Sequence, residues 1–232
     1  MPQRPEHGKK QPLLLIAAAT CFLATLWAGA WCWAEILAIG PRQQIQHWET
    51  QGLTDNPEAF EQAMARLATA SQINSSNAEF YWLQGRLAAL QQSTVNNNDS
   101  PQAISLFKQA IEKRPSWGLP WVYLAQAASK EPDNQSLFIV ALQKAAKLEP
   151  YEKLNQTKII PLALANWSRV PNNLKSTLNK IIAHGLKYNN GGNFILEAAA
   201  QFNKAEVVEP LIIKEWQKRR LTQLIKQRTD QP

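Results

Sequence analysis

The chain has 232 residues, 45% of them hydrophobic, which is room for one ordinary domain and a membrane anchor. Its net charge of +7 is spread along the sequence, without the clustered basic and aromatic residues of a dedicated nucleic-acid surface. Both cysteines, Cys21 and Cys32, fall in an apolar N-terminal stretch. The remainder therefore has neither a disulfide framework nor a cysteine-based metal site.

Residues 1–12 form a basic N-terminal segment, with Arg4, Lys9 and Lys10 against Glu6. Residues 13–34 are 22 positions without a charge, long enough to cross a bilayer as a helix. We place a single-pass anchor at 13–37. By the positive-inside rule its N-terminus stays in the cytoplasm and the rest is exported, in a bacterium to the periplasm. Trp27, Trp31 and Trp33 cluster at the outer end, where indole rings favour the interface. A cleaved signal peptide is the rival reading, because Ala28-Gly29-Ala30 resembles a cleavage site. The apolar run continues through Trp31, Trp33, Ile36, Leu37 and Ile39, longer than a signal needs, and favours the uncleaved anchor. Gly40-Pro41 is expected to end the anchor helix. Residues 38–55 then read as a juxtamembrane linker, with a short amphipathic helix over 42–52 carrying Ile45 and Trp48.

A helical domain over 56–228 follows, with a tail at 229–232. Asp55 or Asn56 reads as an N-cap before Pro57. The helix over 57–72 carries Phe60, Ala63, Leu67 and Ala70 on one face. Asn74-Ser75-Ser76-Asn77 is a turn, and 78–92 the next helix. A polar loop spans 95–100. Ser100-Pro101 restarts a helix running to about Arg114. A turn at 116–120 precedes a helix over 120–129, and Glu131-Pro132-Asp133-Asn134 breaks it. The next helix ends near Leu148. Helices are expected over 154–168, from Asn172 or Asn173 to Leu186, over 194–202, and as one last helix over 205–228. The inner face of that last helix would carry Val207, Val208, Leu211, Ile212, Leu221, Leu224 and Ile225. Asn189-Asn190-Gly191-Gly192 is a stop. No alternating run calls for a strand, so the exported part is expected to be all-α.

A repeat underlies this order. Ala103, Phe107, Ala110 and Pro115 lie on one closing helix, and Leu142, Ala145 and Pro150 keep the same offsets 35 positions later. Ala63, Leu67 and Ala70 keep them one unit earlier, with Ser75 in place of proline. Tyr81 and Gly85, then Trp121, Leu124 and Ala125, hold the opening helices. This spacing resembles tetratricopeptide repeats, whose period is about 34 residues. The resemblance implies a short α-solenoid of helix pairs behind the anchor. An ordinary helical bundle is the alternative.

The three histidines, His7, His47 and His184, stand far apart, none with a metal-ligand partner at the right spacing. Gly191-Gly192 is no phosphate-cradling loop, and no catalytic constellation is present. We therefore expect no enzyme, no cofactor and no small-molecule substrate. A hydrolase or transferase would need a spatial cluster of Glu, His and Ser that the sequence does not offer. Trp82, Trp121, Tyr123 and Trp167 are the candidate binding residues, because stacked helix pairs form a groove that takes a peptide or partner helix. Core packing is the competing reading for such aromatics. The basic run Lys214, Lys218, Arg219, Arg220, Lys226 and Arg228 reads as a solvated capping face, with contact to an anionic polymer or lipid head groups as the alternative.

Pro115-Ser116-Trp117, Leu119-Pro120-Trp121, Tyr123-Leu124-Ala125, Leu148-Glu149-Pro150-Tyr151-Glu152, Asn166-Trp167 and His184-Gly185-Leu186 resemble the VpsP-like proteins of bacterial exopolysaccharide clusters. Those are single-pass proteins with a tetratricopeptide-like remainder. The resemblance implies a non-enzymatic scaffold at the inner membrane, recruiting protein partners of a polysaccharide assembly complex. An envelope assembly factor for a pilus or cell-division machine is the alternative.

Overall fold

The computed structural model describes residues 11–51, 57–94, 100–188 and 192–229. Among them are eleven α-helices and no strand. The N-cap expected at Asp55 or Asn56, the body of the 95–100 loop and most of the 189–192 stop lie outside the described residues.

Helix α1 (Gln11–Gln51) is one continuous helix through Pro41, so the break expected at Gly40-Pro41 is absent. Its exposure pattern explains why. Residues 13–33 are exposed all round; at 1.5 Å per residue they extend roughly 30 Å, the thickness of the hydrocarbon core. From Ala34 onward Ala34, Ala38, Pro41, Ile45 and Trp48 are buried at alternating four- and three-residue steps. That spacing puts them on one face, and the face packs on α2 (Pro57–Ile73) and α3 (Ala78–Thr94). An internal proline costs about 3 kcal/mol. Burying Ile45 (0% exposed) and Trp48 (5%) just beyond it returns roughly 1.5–3 kcal/mol each. Arg42 also ties the helix down on the far side of Pro41. Its Nη2 lies 2.7 Å from Glu35 Oε2 and its Nε 2.8 Å from Glu79 Oε1. Asn77 Nδ2 donates to Glu35 Oε1 at 2.8 Å, while Asn77 Oδ1 accepts from the Glu79 N–H at the start of α3.

Helix α2 buries Phe60, Ala63, Leu67 and Ala70, the face read from its period. Helix α3 buries Phe80, Leu83 and Leu87. Helix α4 (Ser100–Lys113) buries Ala103, Phe107 and Ala110 against it. Helix α5 (Gly118–Ser129) begins two residues earlier than expected. Pro120 sits in its first turn, where a missing N–H costs nothing. Helix α6 (Gln135–Leu148) buries Phe138, Ala141, Leu142 and Ala145. Its C-terminus is closed by Asn155, whose Nδ2 donates to the carbonyls of Ala145 and Glu149. Helix α7 (Lys153–Ala165) is capped by Glu152, which accepts from the Asn155 N–H at 2.6 Å. Helix α8 (Asn172–Tyr188) and helix α9 (Asn193–Gln201) follow, separated by Gly192 at φ +74°.

The single helix expected over 205–228 is instead two. Helix α10 (Ala205–Val208) runs into a 3-10 turn at Glu209–Leu211, and α11 (Glu215–Thr229) restarts after an extended Ile212. Pro210 has no N–H to donate to Glu206, so the helical ladder fails there. Leu221 is buried and Leu224 half-buried, but Ile225 is exposed, contrary to the expected inner face.

From α1 to α9 every helix packs on the next in the chain. The odd-numbered helices also touch one another in sequence: α1 with α3, α3 with α5, α5 with α7, α7 with α9. They form one continuous row, and the groove described next lies along it.

Candidate functional site: a groove along the odd-numbered helices

Two adjoining cavities are lined by α1, α3, α5 and α7, with Lys130 added just past the end of α5. The larger, about 410 Å³, includes Arg42, Glu49, Trp82, Leu119, Leu154 and Lys158. The smaller, about 230 Å³, includes Leu90, Gln126, Ala127 and Lys130. Glu49, Arg86, Tyr123 and Lys158 line both.

These four side chains come from four helices and meet through charge. Arg86 grips Glu49 twice, Nε to Oε1 at 2.9 Å and Nη2 to Oε2 at 2.8 Å. Such a fork-on-carboxylate pair is short and strongly directional. Lys158 Nζ stands 3.6 Å from Glu49 Oε2, and the Tyr123 hydroxyl donates to Oε1 at 3.4 Å. Burial works to raise the Glu49 carboxyl, but the Arg86 hydrogen bond and charge, then Lys158 and Tyr123, bring it below the ordinary carboxylate value. Burial pushes the Tyr123 phenol up, with Arg86 opposing and the Glu49 charge adding to the rise. The raised phenol keeps its proton, and with it the hydrogen bond to Glu49.

Aromatic rings wall the cluster. Trp82 meets Trp117 at 5.1 Å and Tyr123 at 5.7 Å between centroids, both edge to face. The Arg86 guanidinium caps the Trp82 ring at 4.6 Å. Trp82 is buried, yet its Nε1–H has no hydrogen-bond partner among the described residues.

The four sequence-predicted aromatics therefore divide. Trp82 and Tyr123 come together in the groove. Trp121 lines neither cavity; it is half-buried and its Nε1 donates to the Pro115 carbonyl at 3.1 Å, stapling the turn between α4 and α5. Trp167 also lines neither; it sits in the 3-10 turn after α7, with Lys175 Nζ 5.7 Å from its ring centroid. Both are partly buried and pack against the core.

Sequence reading missed Glu49, Arg86 and Lys158. Glu49 falls in the 38–55 stretch that reads as a linker. Trp82 and Arg86 are four apart on a helix, a spacing that brings a cation over a ring and was available as a signal. The His184 ring lies 4.4 Å from that of Tyr151 and 4.7 Å from that of Tyr188 between centroids, with Nδ1 3.2 Å from Gln156 Nε2. No group of three or more His, Cys, Asp or Glu among the described residues is placed to hold a metal ion.

The chain matches no protein-family model and no curated protein.

Proposed function

We propose that this chain is a non-enzymatic scaffold: a single-pass anchor carrying helix pairs of the tetratricopeptide class, whose groove holds a protein partner of a bacterial polysaccharide synthesis or export complex. The observation that carries the reading is the convergence of α1, α3, α5 and α7 on one groove. Contact between alternate helices is what stacked helix pairs produce. The pathway rests on the resemblance of the 115–186 segments to VpsP-like proteins. Arg4, Lys9 and Lys10 before the apolar span support a cytoplasmic N-terminus and a periplasmic domain. The continuous α1 gives such a scaffold a stiff mounting, and tethering raises the effective concentration of a weakly held partner.

Photo-crosslinking in native membranes tests this. A crosslinker at Gln126, exposed at the mouth of the smaller cavity, is expected to capture a component of the polysaccharide apparatus. One at Val140, exposed on α6, is expected not to. Trp82→Ala with Tyr123→Ala should abolish the Gln126 product. Capture that survives both substitutions would remove the groove from the reading. A periplasm-dependent reporter at the C-terminus checks the orientation.

A further inference from the structure

Resting on the groove reading above, we propose that Arg86, Lys158 and Tyr123 form a carboxylate-binding site for an acidic polypeptide segment. Glu49 fills that site in cis until such a segment displaces it.

The geometry at Glu49 is that of a bound ligand group only partly satisfied. Arg86 holds the carboxylate bidentately, but Lys158 at 3.6 Å and the Tyr123 hydroxyl at 3.4 Å stand beyond the reach of a strong charge-assisted hydrogen bond. Two donors are thus turned to an anion that they hold only at long range. The charge balance points the same way. Among the described residues, the smaller cavity is lined by Arg86, Lys130 and Lys158 against Glu49 as its one acid. Arg42, by contrast, is neutralised by Glu35 and Glu79.

The second observation is independent. Trp82 is 8% exposed, lines the larger cavity beside Arg86, and its Nε1–H lacks an acceptor among the described residues. A buried donor without an acceptor is uncommon in folded proteins, and because this nitrogen is closed to solvent while Glu49 holds the site, an acceptor from a ligand reaches it only when the groove rearranges. A polypeptide fits better than a sugar. Trp82 and Tyr123 are both buried, set edge to face, and covered by Arg86, so neither leaves an open ring face for a pyranose to stack on.

Glu49 belongs to the last turn of α1, so the residue that occupies the site is carried by the same helix as the apolar span. Exchange of Glu49 for a partner carboxylate would couple occupancy of the groove to the end of that helix.

The test uses the full-length protein in detergent micelles and fluorescein-labelled hexaglutamate, read by anisotropy. Glu49→Gln keeps the side-chain size and removes the internal competitor. It should tighten hexaglutamate binding about tenfold, and added salt should weaken the binding. Lys158→Glu leaves the bidentate pair intact and should weaken binding at least tenfold. Circular dichroism checks that both variants keep their helix content. If Glu49→Gln fails to fold, the Lys158→Glu arm decides alone. Unchanged affinity in the folded variants overturns the proposal, as does a preference for oligogalacturonate over hexaglutamate. Crosslinking at Gln126 that depends on Trp82 and Tyr123 but ignores Glu49→Gln would sink this site and leave the scaffold standing.

Discussion

Phe107 on α4 lies directly against the backbone of Gly85 on α3. A Cβ added at Gly85 would stand 2.6 Å from Phe107 Cε1, closer than carbon atoms approach. Phe107 is fully buried and has nowhere to retreat. We predict that Gly85→Ala lowers stability by roughly 1–3 kcal/mol, even though alanine is the better helix former by about 1 kcal/mol. Thermal melts followed by circular dichroism should show the loss. The double variant Gly85→Ala with Phe107→Leu should recover part of it. A single variant at least as stable as the parent would mean that the helices are not this close.

The second prediction concerns the boundary between the apolar span and the packed part of α1. A fragment beginning at Ala34 should fold as a water-soluble helical protein, because residues 34–51 bring their own buried face. A fragment beginning at Pro57 strips Ile45 and Trp48 from the core, about 3–6 kcal/mol in a domain whose whole stability is typically 5–15 kcal/mol. It should aggregate or melt far lower. Size-exclusion chromatography and hydrogen exchange compare the two. Equal behaviour would return residues 38–55 to the status of a linker.

The third follows from Glu49. Its carboxyl is held below the ordinary value of 4.5 by Arg86, Lys158 and Tyr123 against the opposing effect of burial. A carboxylate depressed in the folded state contributes stability that is fully present above the unfolded value and lost as pH falls through the folded one. The melting-temperature gap between parent and Glu49→Gln should therefore be constant above about pH 6 and close only at pH below the carboxylate range. A gap that instead closes between pH 6 and 8 would place the titrating group elsewhere.

Trp82 separates two kinds of contribution. Trp82→Ala removes a buried indole and should cost about 3–5 kcal/mol. Trp82→Phe keeps most of the ring contact while deleting a buried donor that has no partner. Relief of that donor is worth about 1–3 kcal/mol, close to the cost of the smaller ring, so Trp82→Phe should unfold near the parent midpoint in denaturant. A Phe variant as weak as the Ala variant would show that the Nε1–H is satisfied after all.

The helices were legible because their signals are local. Phe60, Ala63, Leu67 and Ala70 face the core as their spacing requires, and Asn77, Pro120 and Gly192 punctuate the chain as their chemistry demands. Two local signals misled. Pro41 reads as a stop, yet the ladder continues because Ile45 and Trp48 bury beyond it. Glu209-Pro210 passed unnoticed inside an apolar pattern, and there the ladder does fail. Propensity is a weak term that tertiary burial outweighs in the first case and cannot rescue in the second.

The amino-acid order alone determined the all-helical class, the apolar span near the N-terminus and, up to the break at Pro210, the residues the helices turn inward, since these depend on neighbours three and four positions away. It also nominated four aromatics without distinguishing them. Which of the four share a groove was decided by the stacking of α1, α3, α5 and α7, which draws Glu49, Arg86, Tyr123 and Lys158 to one point. Those residues are separated by as many as 109 positions. A charge pair across such a separation leaves no periodic trace, because its distance is set by how helices lie against one another and not by the turn of any one of them.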